Sequence, residues 1–153
     1  MAEVGFYQLR TTALEDALPR LLQKILYAGH RVRVVGASEE RMALLNGVLW
    51  TFDENSFLPH GDIGEGNAKH QPILLSNESA DPSANENNAD IVVTIDGVEP
   101  VMLVGVLRYL DMFGGNDEAA LRAARQRWTR RKAENHHVSY WQQGEGGGWE
   151  KLA

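Results

Sequence analysis

The amino-acid sequence predicts an α/β domain of three layers, with a mainly parallel sheet flanked by helices, Rossmann-like but without a nucleotide-binding loop. Three observations lead there. Short apolar runs suited to buried strands alternate with segments whose apolar residues recur every three or four positions. No internal repeat or linker divides the 153 residues, so residues 1–153 read as one domain. The composition, 43% hydrophobic and 24% charged, is that of a globular chain able to bury its own core.

Val4-Gly5-Phe6-Tyr7-Gln8-Leu9 opens as a strand. Leu14, Leu18, Leu21, Leu22 and Ile25 then fall at helical spacing, and Thr12 with Glu15 is positioned for a capping box. Pro19 is tolerated in a first turn but removes a hydrogen bond from a helix interior, so the helix is expected to begin near Asp16 or to kink at the proline. Ala28-Gly29 ends it, and Arg31-Val32-Arg33-Val34-Val35-Gly36 makes the next strand.

Ser38, followed by Glu39 and Glu40, places a hydrogen-bond acceptor at a helix cap and negative charge at the positive end of the dipole. Met42, Leu45, Leu49 and Phe52 share the stripe of that second helix. Pro72-Ile73-Leu74-Leu75-Ser76 and Asp90-Ile91-Val92-Val93-Thr94-Ile95 read as buried strands, separated by a flexible, acidic, solvated loop over residues 77–89. Asp96-Gly97 marks a turn, and Pro100 argues against a regular element over residues 98–104. A strand is expected within residues 105–112, with Val106, Tyr109 and Leu110 as its apolar part. Asn116-Asp117-Glu118 caps a last helix running to about His136, and Val138-Ser139-Tyr140-Trp141 forms a last strand.

The chain has no cysteine, which removes disulfides, thiolate metal sites and cysteine nucleophiles. No apolar run approaches about 18 residues, and Met1-Ala2-Glu3-Val4 lacks a signal-peptide pattern, so a cytoplasmic protein is expected. The net charge of −6 is unevenly spread: residues 1–52 carry +1, residues 53–118 carry −11 and residues 119–153 carry +4. The middle segment repels nucleic acid, while the last attracts an acidic peptide. Strong direct DNA binding is therefore not expected.

Sheets of this kind often hold nucleotides, which makes a small nucleotide-binding or hydrolytic enzyme the competing expectation. The turn after the first strand, Gln8-Leu9-Arg10-Thr11-Thr12, lacks the glycines that let backbone approach a pyrophosphate. Gly36-Ala37-Ser38 has no phosphate-loop lysine, and the glycine cluster over residues 60–67 carries two carboxylates. His60, Asp62 and His70, or His136 and His137, are ordinary metal-ligand types, but their spacing is not diagnostic, and the first three read as solvated loop residues. Ser56, His60 and Asp53 lack a nucleophile-elbow sequence. No catalytic residue, metal or cofactor is expected.

Two surfaces remain. On the last helix Leu121, Ala124 and Trp128 form one stripe, with Arg122, Arg125 and Thr129 beside it. Arg125 offers a planar fork for a carboxylate one turn before the Trp128 ring, a pair suited to a short acidic peptide with an aromatic anchor. Arg127, Arg130, Arg131 and Lys132 add long-range attraction. A core tryptophan beside an ordinary solvated arginine face is the other reading of the same stripe. The second surface is residues 49–61, where Trp50, Phe52, Phe57 and Leu58 cross from a helix end into a stretch dense with turn formers. It reads either as a partner grip or as a hydrophobic cap on the helix.

The opening Val-x-Phe-Tyr-x-Leu pattern, residues 49–61, the Pro72-Ile73 strand, the arginine helix and the ending Gly147-Gly148-Trp149-Glu150-Lys151 occur in the order and spacing of one family. The chain resembles the chi subunits of bacterial DNA polymerase III clamp-loader assemblies, which are adaptors rather than catalysts. The resemblance implies that Arg125 and Trp128 hold the acidic, phenylalanine-ended C-terminal tail of single-stranded-DNA-binding protein, supported by Arg122, Thr129, Arg130 and Arg131. Thr129 stands where relatives often carry lysine, so its charge role passes to Arg130 or Arg131. The resemblance likewise implies that Trp50, Phe57 and Pro59 contact the psi subunit or a helicase of the XPD-like class.

Overall fold

The computed structural model describes residues 3–52, 59–62, 68–77, 87–99, 103, 105–146 and 148–153. In chain order these form β1 (Glu3–Leu9), α1 (Leu14–Tyr27), β2 (Val32–Gly36), α2 (Glu39–Thr51), β3 (His60–Asp62), a 3-10 turn (Ala68–His70), β4 (Ile73–Asn77), β5 (Ile91–Thr94), β6 (Arg108–Gly114), α3 (Glu118–Ala133), β7 (His137–Gln143) and β8 (Trp149–Lys151). The strands make one eight-stranded sheet in the order β3-β4-β2-β5-β6-β1-β7-β8. Every pairing is parallel except the last, where β7 and β8 run antiparallel.

Side chains alternate across a strand, so neighbouring residues report opposite faces. Val93, Leu110 and Met112 pack with Leu18 and Leu22 of α1 and Met42 and Leu45 of α2. Their neighbours Val92, Tyr109 and Phe113 pack instead with Ala124 of α3. Helices α1 and α2 therefore cover one face and α3 the other, which is the expected three-layer α/β arrangement. Helical cover is uneven: all four residues of β5 are buried, whereas only Gln143 is buried among the seven of β7.

The turn at the entry to α1 differs from the expected capping box. The helix starts at Leu14, ahead of Asp16, and its N-cap, Ala13, makes no side-chain capping bond. Thr12 is engaged elsewhere: its hydroxyl accepts from Gln143 Nε2 at 2.8 Å. Glu15 reaches across to the Arg41 guanidinium of α2. Pro19 lies within the helix and is buried, where its missing N–H is the defect a proline ring imposes on a helix interior. Burial of its ring in the apolar core offsets that lost bond. Gly29, at φ 89°, takes the left-handed conformation that closes the helix. At α2 the expected cap is present, with Ser38 Oγ accepting from Arg41 N at 3.2 Å.

Other boundaries also move. Asn77 belongs to β4, while Asn87 and Ala89 are buried. Asn87 Nδ2 donates to the carbonyls of Val32 and Gln71, both at 3.0 Å, which draws that side chain in from solvent. The rest of the loop expected over residues 77–89, residues 78–86, lies outside the described residues. His60 is not a solvated loop histidine: it sits buried in β3, paired in parallel with β4. The last helix stops at Ala133, short of His136, because Glu134 and the left-handed Asn135 (φ 65°) turn the chain into β7.

Candidate functional site: two aromatic surfaces on a closed sheet end

In parallel sheets ligands bind outside the carboxyl ends of the strands, where neighbouring connections leave on opposite faces. Here that point lies between β1, which feeds α1, and β6, which feeds α3. A cleft of about 560 Å³ opens there, with Arg41, Asp96 and Asp117 on its walls. Its charged groups are already engaged within the protein. Arg41 pairs with Glu15 and, at 3.2 Å, with Asp96, and Asp117 accepts from the N–H groups of Ala119 and Ala120. The turn after β1 is closed as well. Gln143 Oε1 accepts from the backbone N–H groups of Arg10, Thr11 and Thr12 at 3.1, 3.0 and 3.2 Å. Those are donors that a phosphate at this turn would need. Gly115 presses against the same corner, since a Cβ there would lie 2.6 Å from the Leu9 carbonyl oxygen.

The arginine helix divides into an inner and an outer set. Arg127 is buried and grips the equally buried Asp111 of β6, with Nε to Oδ2 at 2.6 Å and Nη2 to Oδ1 at 3.0 Å. This pair fixes α3 to the sheet, so the long-range role expected of Arg127 gives way to a structural one. Arg131 is also buried, with Nη1 3.3 Å from Glu134 Oε1. Arg130 is exposed and paired with Glu99. Arg122 and Arg125 are exposed, and neither guanidinium has a salt-bridge partner among the described residues.

Trp128 combines both readings of its stripe. Its ring packs edge-on against Phe6 at 5.8 Å and against Tyr140 at 5.8 Å, yet it remains only partly buried. Lys132 Nζ stands 5.9 Å from the ring centroid, within cation–π range. Thr129 is exposed, with its hydroxyl bonded back to the Arg125 carbonyl at 3.0 Å. Burial raises the Tyr140 phenol pKa, and the nearby Arg125 charge works in the opposite direction, which places Arg125 beside this aromatic pair. Arg125, Trp128, Lys132 and Tyr140 thus form one ridge between α3 and β7. Tyr140 joins this site from β7, and its alternation with Ser139 and Trp141 is the sequence signal for the face it takes.

At the opposite end of the sheet, Trp50 is 56% exposed at the end of α2, and its ring lies 4.6 Å from that of the buried His60. Pro59 is half-buried and leads directly into β3. Phe52, the C-cap of α2, packs against the core as a helix cap would. Phe57 lies outside the described residues. Among the described residues no three His, Cys, Asp or Glu side chains gather as a metal-binding group, and no helix is long and apolar enough to cross a membrane.

The fold and its surfaces define a doubly wound α/β domain whose nucleotide-type turn is filled by its own glutamine. Its aromatic and cationic groups lie instead at the two ends of the sheet. The model of the family "DNA polymerase III chi subunit, HolC" matches residues 1–139, and the chain belongs to that family. A relative from Rickettsia prowazekii (strain Madrid E), named "Probable DNA polymerase III subunit chi", is 26% identical over 113 residues. The match takes in 74% of this chain and 66% of the relative, so the chain spans just under two thirds of that protein's length.

Proposed function

We infer that this protein is a non-catalytic replication accessory subunit of the DNA polymerase III clamp-loader assembly, acting by tethering in the bacterial cytoplasm. The ridge of Arg125 and Trp128 receives the acidic C-terminal tail of single-stranded-DNA-binding protein. Trp50, Phe57 and Pro59 hold a second partner, the psi subunit or an XPD-like helicase. Each contact raises the effective concentration for the next, so a replisome grips coated template more firmly than either affinity alone allows.

The observation that carries the reading is the exposed Arg125 guanidinium, without a salt-bridge partner among the described residues, beside the partly buried Trp128 ring. Such a pair meets a peptide carboxylate and an apolar side chain together. Arg122, Thr129 and the cation of Arg130 lie on the exposed side of α3, where they extend the field around that contact. Arg131, being buried, acts on the peptide through the position of the helix end. The competing nucleotide-enzyme reading loses support from the turn after β1, where Gln143 occupies the backbone donors.

The test is fluorescence anisotropy of a labelled tail peptide titrated with the protein and with Arg125→Ala at two salt concentrations. The expected result is salt-sensitive binding weakened about tenfold or more in the variant, as for loss of a charge-assisted contact. Absence of binding by the folded protein overturns the tail reading. A nucleotide-dependent rise in melting temperature would favour the enzyme instead.

A further inference from the structure

The face of the sheet opposite α3 loses its helical cover toward the β7–β8 edge. Within this uncovered part, β1 presents Gly5 and Tyr7, β7 presents Ser139 and Trp141, and β8 presents Trp149 and Lys151. Tyr7 and Trp141 are register partners on neighbouring strands, and their rings are parallel within 3° at a centroid separation of 5.9 Å. Trp149 meets the Tyr7 ring edge-on at 5.1 Å.

Small residues make room for those rings. Tyr7 leans along its strand over Gly5, where a Cβ would come within 2.8 Å of the ring. Trp141 leans the same way over Ser139, held by an indole N–H bond to the serine Oγ at 3.0 Å. The result is a trough of about 600 Å³ with a wall of aromatic rings, rimmed by Arg108 and Lys151. Lys132, His136 and His137 approach it from the amino ends of the strands. Of the acids at this place, Glu3 is paired with Arg108 at 3.7 Å, and Glu150 lies on the opposite side of β8 from Lys151. The edge strands β7 and β8 belong to residues 119–153, the segment that carries a net charge of +4.

We propose that this trough binds single-stranded DNA, with bases stacking on the Tyr7 and Trp141 rings and phosphates meeting Arg108 and Lys151. An aromatic platform with a cationic rim is how single strands are held without sequence preference, because every base offers a π-face. An acidic peptide would use the cations but gain little from two parallel rings, which is why nucleic acid is the better fit. The negative charge of the whole chain keeps such binding modest and salt-sensitive. Tyr7 and Arg108 lie within residues 1–139, the part that matches the family model, while Trp141 and Lys151 come from the segment that follows it. The Tyr7 and Trp141 rings stand on the opposite face from Arg125 and Trp128, with Lys132 alone reaching both surfaces at the amino ends of the strands, and the proposal rests on no part of the tail reading.

The experiment is anisotropy of a labelled thymidine oligonucleotide, titrated with the full chain at low and moderate salt, alongside Trp141→Leu, Lys151→Glu and Arg125→Ala. Binding should weaken about tenfold in Trp141→Leu through loss of a stacking ring. A loss of about threefold is expected in Lys151→Glu at low salt. Arg125→Ala should bind the oligonucleotide unchanged. If Trp141→Leu melts far below the parent, the decision passes to Lys151→Glu, which alters an exposed edge residue and should keep the fold. No binding at low salt overturns the proposal, as does equal binding by Lys151→Glu or loss confined to Arg125→Ala. Displacement of the oligonucleotide by an acidic, phenylalanine-ended peptide that Lys151→Glu also fails to hold would overturn it too, by assigning the trough to a peptide.

Discussion

The two ends of the sheet contrast in how their aromatic residues are supported. At the β3 end, Trp50 projects from the end of α2, 56% exposed, with its ring 4.6 Å from that of the buried His60. At the β7 end, Trp128 is wedged between Phe6 and Tyr140, with α3 held down by the Arg127–Asp111 pair. The first arrangement leaves a large apolar surface exposed. The second sets the tryptophan of the proposed tail site partly in the core, so binding and stability would be read from the same side chain. A substitution at one end should therefore separate the two properties, and at the other it should not.

The largest expected effect comes from Arg127→Met. It removes one partner of a buried, doubly hydrogen-bonded pair and strands the Asp111 carboxylate, a loss of about 3–5 kcal/mol of stability in denaturant titrations. Because the pair anchors α3, tail binding should fall with it. Replacing Asp111 and Arg127 together by apolar residues should be milder than Arg127→Met alone, since no charge is then left buried. If the single variant lost less than the double, the pair would not be the anchor.

Trp128→Ala and Trp50→Ala sharpen the contrast most directly. Trp128→Ala should lose about 3 kcal/mol of stability, because it opens a hole between Phe6 and Tyr140. Trp50→Ala should stay within about 1 kcal/mol of the parent, as surface substitutions do. Yet it should weaken the second partner by about 2 kcal/mol, the range of an interface anchor. Paired melting and pull-down titrations on both variants check this. A sharply destabilised Trp50→Ala would make that tryptophan a helix cap and erase the difference between the two ends.

Gln143→Ala comes next. It releases three backbone N–H groups and the Thr12 hydroxyl from one buried amide, for an expected loss of about 1–3 kcal/mol. Solvent can reach part of that turn, which places the value toward the lower end. The same variant frees the turn after β1, so an increased response to added phosphate in a thermal shift assay would mean that Gln143 acts as a plug as well as a brace.

The layers, the strand positions in the core and the cap at Ser38 were legible because periodicity and capping are local signals. Gln143 was not, since it lies more than 130 positions from the turn it holds, and only the pairing of β1 with β7 brings them together. The same long-range pairing explains the failed Thr12 and Glu15 box: both side chains meet better partners from distant strands and helices than from each other. Arg127 and Arg125 are two residues apart in a run of similar charge, and helical geometry alone sends one into the core and leaves the other outside. Sequence could name the arginine helix as important but could not say which arginine held the fold. His60 was misread for a related reason, because a three-residue strand among glycines carries too little periodicity to be seen.

The smallest effect concerns Glu15, which ties α1 to α2 through Arg41. The hydrogen bond from the Arg41 guanidinium holds the Glu15 carboxyl below its ordinary pKa, more than offsetting the burial that would raise it. A folded-state value below the unfolded one means that this group's contribution is complete above the unfolded pKa and is lost as pH falls through the folded one. Glu15→Gln should therefore be less stable than the parent at neutral pH, by less than about 1 kcal/mol for a solvent-accessible pair. The two proteins should converge as the pH drops below the ordinary glutamate range. Added salt at neutral pH should narrow the gap as well. Since the pair lies at the sheet's centre, between the two aromatic ends, neither tail nor oligonucleotide binding should change in this variant. A change in either would mean that the α1–α2 contact positions more of the molecule than its own helices.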